Sequence, residues 1–398
     1  WFTLDGDGAV AAAQQAAAEI RGGAWRGPLH GLPVGVKDLF DTAGLRTTYG
    51  SPRFVDHVPE RDAAVVTRLR DAGAVMLGKQ ATHEFAWGGR TDSRYFGPTL
   101  NPHDPTRIPG GSSGGGAAAI VSGSGLLAIG SDTAGSVRIP AALSGCVGYK
   151  PTRNWCPLTG AFPLAPSLDH VGLITRTVAD AATAFQALGG TLHAPRGAPL
   201  RVGLLVGDAD TVLVPAIREA LHTAARMLTG SGEVVEPVAL TRVDESVRAI
   251  LEVIRSEAGR VHRDAYRADP DSYGRDLATL LEMDPISADE RAAVEGDVRR
   301  AVGEAEGLLR SYDVLLGATV PVTAPRIGQK RVTVAGRHLP VELALTRLTS
   351  LADAGGMPAL SVPFPAEDLP IGIHLVAARD DDGTLLAAGA ALERALAE

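Results

Sequence analysis

Short apolar runs alternate with stretches whose apolar residues recur every three to four positions along almost the whole chain. The piece GLPVGVKDLF (31–40) is strand-like through Val34 and Val36 and then meets Lys37. Val65, Val66, Leu69 and Ala72 fall at helical spacing over 61–72, with Gly73 as the stop, and AVMLG (74–78) follows as a buried strand. Residues 114–122 are small and apolar, and LLAIGSD (126–132) reads as a strand. Thr177 and Asp180 form a capping box that opens a helix over 178–188, closed by Gly189. Strands are predicted at 200–207, 233–240, 314–318, 359–364 and 371–377, and helices at 215–229 and 384–397. Residues 244–311 are helical and charge-rich, which places them outside the sheet. This alternation predicts an α/β fold: one compact domain over 1–398, with a central mixed β-sheet covered by helices on both faces and a helical excursion at about 244–311. HAPRGAP (193–199) is the only boundary-like piece, and no internal repeat is visible.

Composition narrows the class. The 398 residues carry a net charge of −8 without a Lys/Arg stripe, which argues against a nucleic-acid partner. Two cysteines exclude a disulfide scaffold and fit a reducing, cytoplasmic setting. No apolar stretch reaches the roughly 18 residues of a membrane span, so no membrane partner is expected. The chain opens on Trp1 rather than Met, as a trimmed or partly recorded polypeptide would, so a missing targeting segment carries little weight.

Several motif matches fail on their physics. GAVMLGK (73–79) resembles a phosphate loop, but Gln80 follows where Ser/Thr is needed, and the match lies on a strand. His83-Glu84 begins like a zinc helix, yet Trp87 stands where the second imidazole belongs. Cys146 and Cys156 lack paired ligands and read as small core residues. GGSSG (110–114) fits a nucleophile elbow around Ser112, but the preceding DPTRIP cannot be the central strand that an elbow requires.

Two glycine- and serine-rich stretches remain, 109–116 and 130–138, flanking one small-residue helix and one buried strand. A single such stretch is a tight turn and nothing more. Two of them can place successive backbone N–H groups around an anion, which is what the tetrahedral oxyanion of acyl transfer demands. Ser136, at the end of the second turn, is placed to attack. A serine needs a base, and no histidine is near; His103 and His170 are the closest in sequence. Lys37 is an odd residue to follow an apolar strand. Burial there would lower its pKa by roughly 3 units from about 10.4, on the order of 4 kcal/mol of desolvation. The alternatives for Lys37 are a snorkelling surface lysine or a pair with Asp38.

These residues carry a resemblance. GPLHGLPVGVKD (27–38), GGSSGGG (110–116), DTAGSVRIPAALSGCVGYKPT (132–152) and SLDHVGLITRTVADAA (167–182) are similar to the amidase signature family of serine amidohydrolases. TVPVTAP (319–325) and MPALSVP (357–363) match it more weakly, and the signature core spans about 27–190. The resemblance implies a Ser–cis-Ser–Lys triad: Ser136 as nucleophile, Ser112 as bridging serine 24 residues before it, and Lys37 as base. The Gly111–Ser112 peptide would be cis. The oxyanion would rest on backbone N–H groups of Thr133, Ala134, Gly135 and Ser136. Ser113 would lie near the relay, while Asp132 and Arg138 either hold the loop or form a purely structural ion pair. The implied reaction is hydrolysis of a carboxamide through an acyl-enzyme. It needs no cofactor and no metal, because Lys37 replaces a metal-bound hydroxide.

The chain also departs from the pattern. Ala134 stands where relatives mostly carry Gly, as in the allophanate-hydrolase branch, and Arg153-Asn154-Trp155 replaces the usual Tyr-Gly-Arg after KPT. The N-terminal region is reduced. Trp87, Tyr95, Trp155 and Phe162 are the aromatic candidates for a substrate pocket. EFAWGG (84–89) and GSDTAGS (130–136) also resemble the glutaminase-type component of a tRNA-dependent amidotransferase, which works in a complex. A third reading is a binding protein that kept the fold and lost the chemistry. The expected partner is a small-molecule amide, and a homodimer is compatible with the sequence.

Overall fold

The computed structural model describes residues 1–397. Its centre is an eleven-stranded mixed sheet. From one edge the strands run Thr3–Leu4, Val75–Gln80, Pro33–Lys37, Leu127–Asp132, His170–Thr175, Val147–Lys150, Ala359–Phe364, Ile371–Ala377, Val314–Ala318, Arg201–Val206 and Val234–Ala239. Pairing is parallel among Val75–Gln80, Pro33–Lys37 and Leu127–Asp132. It is antiparallel from there through Val314–Ala318 and parallel again at the far edge. Pro237 sits on that edge strand, where its missing N–H costs no second ladder.

The predicted elements appear within a few residues of their expected bounds. The Thr177–Asp180 capping box is present at the start of helix Val178–Ala187. Strands Val147–Lys150 and His170–Thr175 are additional to the predicted set. Both are short and carry an internal glycine, and their pairing is supplied by neighbours far away in sequence. The hairpin Arg331–Val334 with Arg337–Pro340 is additional too.

Strand Leu127–Asp132 is buried on both faces. Leu127 and Ile129 join the main core beneath helices Ala64–Asp71 and Val178–Ala187. Ala128 faces a smaller cluster with Ala117 and Ile120 of helix Gly114–Val121 and Ala141 of helix Arg138–Ser144. Burial on both faces explains the near-continuous apolar run in the sequence. Gly130 and Gly172 pair in register, and a Cβ on either would lie 2.8 Å from Val137 Cγ2. The two glycines therefore let the segment just after Ser136 settle onto the sheet.

The excursion forms three helices, Val243–Ala268, Arg275–Leu281 and Ala288–Leu309, none of them in the sheet. The first two contribute Ile250, Ile254, Ala258, Leu277 and Leu281 to a second core with Leu39, Phe85, Ala134 and Leu164. They thus roof the turn that carries Ala134. Among the described residues, no helix is long and apolar enough to cross a membrane.

Candidate active site

Lys37 is the last residue of its strand and is 1% exposed. Parallel register sets Val36 opposite Ile129, so the lysine reaches toward the end of the neighbouring strand. Its Nζ lies 2.7 Å from Ser112 Oγ and 2.8 Å from Ser131 Oγ. Burial lowers the amine to about 7, even though Asp132 and Asp169 pull it upward. Perturbation does not single this lysine out, because burial also lowers Lys79 to about 8 and Lys150 to about 7. Its partners do. Lys79 faces Asp38 at 3.7 Å and Thr47 Oγ1 at 2.8 Å, whereas Lys37 alone of the three holds two serine hydroxyls. The Asp38 pairing considered for Lys37 belongs to Lys79.

Ser112 is fully buried, and its peptide with Gly111 is cis. The loop is held at its carbonyls. Thr91 Oγ1 donates to Gly110 O (2.9 Å) and lies 3.2 Å from Ser112 O, which also accepts from His83 N (3.2 Å). A Cβ on Gly111 would sit 2.7 Å from both Arg90 N and Thr91 Oγ1, so only glycine fits this approach. The Ser113 amide donates to Ser136 O (3.1 Å), tying the two serine loops together, while Ser113 Oγ turns to Ser131 O (3.2 Å).

The second turn is organised by Asp132. Its carboxylate accepts from Gly135 N (2.6 Å), Val137 N (3.1 Å), and Arg138 Nε (3.0 Å) and Nη2 (2.9 Å). Burial alone would raise this carboxyl, but the Arg138 guanidinium overrides it and holds Asp132 far below the usual carboxylate range. Gly135 takes the left-handed conformation the turn needs (φ 120°), and Ala134 is left with a negative φ. Contrary to expectation, the Gly135 N–H is committed to Asp132 and is not free for an anion. The amides of Thr133, Ala134 and Ser136 have no acceptor among the described residues. Thr133 Oγ1 donates to Asp169 (2.7 Å), and Thr349 Oγ1 donates to Ala134 O (2.6 Å). Ser136, at 8% exposure, is the least buried of the three expected triad residues.

The aromatic candidates separate. Phe162 and Trp87 pack on the cluster that contains Ala134. Phe162 lies 4.9 Å from Phe85 and 5.5 Å from His262, measured between ring centres. Trp155 does not belong to that cluster. It packs on the main core against Phe185, and its Nε1 donates to Val171 O (3.0 Å). Tyr95 is 57% exposed on the surface beside Phe96. The residues not anticipated are Ser131, Thr91, Asp169 and Thr349. Ser131 is legible in principle, since it sits inside the GSDTAGS run itself. Asp169 lies in the 167–182 segment that carries the resemblance, whereas Thr91 and Thr349 lie outside the matching segments and meet the site only through the fold.

The Amidase family profile matches residues 1–386. The chain is 37% identical to AtzE, a component of the 1-carboxybiuret hydrolase of Pseudomonas sp. (strain ADP), over 92% of this chain and 84% of that protein. It is 34% identical to a glutamyl-tRNA(Gln) amidotransferase subunit of Acidothermus cellulolyticus, over 99% and 87%. Among solved structures, an amidase superposes with a TM-score of 0.91 at 33% identity, covering 99% of this chain and 91% of that one. The peptide amidase PAM, solved with the competitive inhibitor chymostatin, superposes with a TM-score of 0.83 at 28% identity, covering 99% and 88%. From motif, fold and kinship together, the chain belongs to the Amidase family, whose members act on amide C–N bonds.

Proposed function

We propose that this protein hydrolyses a carboxamide through an acyl-enzyme on Ser136. The observation that carries the reading is the buried contact of Lys37 Nζ with Ser112 Oγ at 2.7 Å, one loop contact away from Ser136. With its amine lowered to about 7, Lys37 is substantially neutral at physiological pH and can accept a proton. Ser136 Oγ attacks the carbonyl carbon while its proton passes to Ser112 and that of Ser112 to Lys37. The oxyanion is held by the Thr133, Ala134 and Ser136 amides. When the C–N bond breaks, the proton returns through Ser112 to the leaving nitrogen. Water then attacks the ester by the same relay and releases the carboxylate.

Ser131 holds the amine from its other side, which fixes the direction of the lone pair. Ser131→Ala is expected to lower kcat/KM by roughly tenfold with the fold intact, as for loss of one net hydrogen bond to a reacting group. The packing of Phe162 and Trp87 on the cluster that contains Ala134 supports an acyl pocket beneath the roof. Phe162→Ala is expected to raise KM, whereas Trp155→Ala should leave KM unchanged and lower stability by roughly 2–4 kcal/mol. Equal KM effects from the two would place the pocket elsewhere.

The decisive experiment screens carboxamides, glutamine included, and looks by mass spectrometry for an acyl adduct on the Ser136 peptide. Absence of any adduct, together with no labelling by a fluorophosphonate, would sink the reading. Kinship with two proteins named as subunits supports a second form of the same chemistry, in which the chain works inside a complex. Size exclusion of the purified chain, with and without candidate partners, combined with a glutaminase assay, separates the two.

A further inference from the structure

Behind the Ser136 turn lies a buried charge cluster that the proton relay does not use. Arg138 is fully buried. Besides its bonds to Asp132, it donates from Nη2 to Asp353 Oδ2 (2.6 Å), and from Nη1 to Thr349 O (2.9 Å) and His374 Nε2 (3.0 Å). A guanidinium only donates, so His374 accepts and is the neutral ring. Asp132 accepts from Arg138 Nε and Nη2 and from the backbone amides of its own turn. Asp353 is different. It takes one bond from Arg138, and its Oδ1 is buried with no N–H or O–H donor among the described residues. The same Arg138 Nη2 brings the two carboxyl groups together, 2.9 Å from Asp132 Oδ1 and 2.6 Å from Asp353 Oδ2.

Every charged group facing Asp353 can be named. Arg138 and Asp132 share its edge, and Lys150 approaches from strand Val147–Lys150. His170 Nδ1 is 3.6 Å from Oδ1 but is engaged with Leu168 O at 2.6 Å. The Arg153 guanidinium is turned to the Asp353 backbone carbonyl. Burial lowers Lys150 to about 7 and holds His170 and His374 well below the usual imidazole range. One permanent cation thus faces two dry carboxyl groups, and two like charges on one guanidinium nitrogen cannot both persist without water. Burial and the neighbouring Asp132 charge push Asp353 well above the carboxylate range.

We propose that the Asp353 carboxyl is a neutral acid that donates its proton to Asp132, and that Asp353 is a positioning residue for the Ser136 turn. The shared proton locks Asp132, which in turn holds the Gly135 and Val137 amides on either side of Ser136. An ionised Asp353 would instead repel Asp132 and draw Arg138 away from it. The positioning role rests on the reading of Ser136 as nucleophile; the protonation does not, so the test has one arm for each.

Infrared difference spectra of the full chain at pH 8, wild type minus Asp353→Asn, should show the carbonyl stretch of a protonated carboxyl group. If no such band is lost, the protonation is refuted whatever the activity. The second arm is the rate of fluorophosphonate labelling. Asp353→Asn, a neutral isostere that keeps an N–H for Asp132, should label within about threefold of wild type, and Asp353→Ala roughly 30-fold more slowly. Only the wild type should lose labelling on an alkaline limb, as Asp353 ionises. If Asp353→Asn labels as slowly as Asp353→Ala, the residue serves as an anion and the proposal falls. Should Asp353→Ala fail to fold, the band and the Asp353→Asn pH profile still decide.

Discussion

Ser136→Ala should lower kcat/KM by on the order of 10⁶, with the melting temperature unchanged and no acyl adduct in the mass spectrum. The size follows from the reaction. Without the hydroxyl there is no covalent intermediate, and only binding and the oxyanion donors remain. The fold should tolerate the change, because Ser136 tethers its turn through its carbonyl, which accepts from Ser113 N, and not through its hydroxyl. Its main-chain neighbours are held by Asp132. Wild-type-like turnover in this variant would remove Ser136 from the chemistry.

Lys37→Met should cost on the order of 10³–10⁴ in kcat, the usual range for removing a positioned base. The pH profile of the wild type should agree with it. Only the neutral amine accepts a proton, so kcat/KM should fall about tenfold per pH unit below about 7 and level off above it until the alkaline limb set by Asp353. The same variant should be more stable than wild type. The folded-state pKa of Lys37 is depressed below its unfolded value, so unfolding takes up a proton between about 7 and the ordinary lysine range. The lysine therefore weakens the fold most at and below pH 7, and this cost fades as pH rises toward 10.5. Replacing it with methionine should add on the order of 1–3 kcal/mol near pH 7, after allowance for the two hydroxyls left without their partner. A loss of stability, or a flat pH profile from 5 to 9, would show that the ammonium is adequately solvated and is not the base. The gain at the expense of activity is the signature of a buried group kept for function.

Much of this site is legible in the sequence because its parts lie in short, composition-biased segments. Ser112 and Ser136 stand in glycine-rich runs, and Lys37 is a charge at the end of an apolar strand. Pocket residues are not legible in the same way. Trp155 and Phe162 look alike as lone aromatics between turns, yet one meets Phe185 beneath the sheet and the other meets Phe85 and His262 beneath the roof. Nothing local separates them. The distinction comes from helices Val243–Ala268 and Arg275–Leu281, which fold back over Ala134 from more than a hundred residues away. The oxyanion turn shows the same division. Its glycine reads locally as a supplier of an amide, and the fold commits that amide to Asp132.

The chain's own pattern determined the strand–helix alternation, the two bending turns and the three polar groups that chemistry would need, because periodicity, glycine content and an out-of-place lysine are local properties. Tertiary structure alone decided how Lys37 and the buried carboxyl groups around the turn titrate. Lys37 becomes an amine lowered to about 7, Asp132 a carboxylate held far below its usual range and Asp353 one pushed well above it only once eleven strands and their helices have excluded water around them. Desolvation and Coulomb energy depend on distances in space, and those are set by register between strands far apart in the sequence.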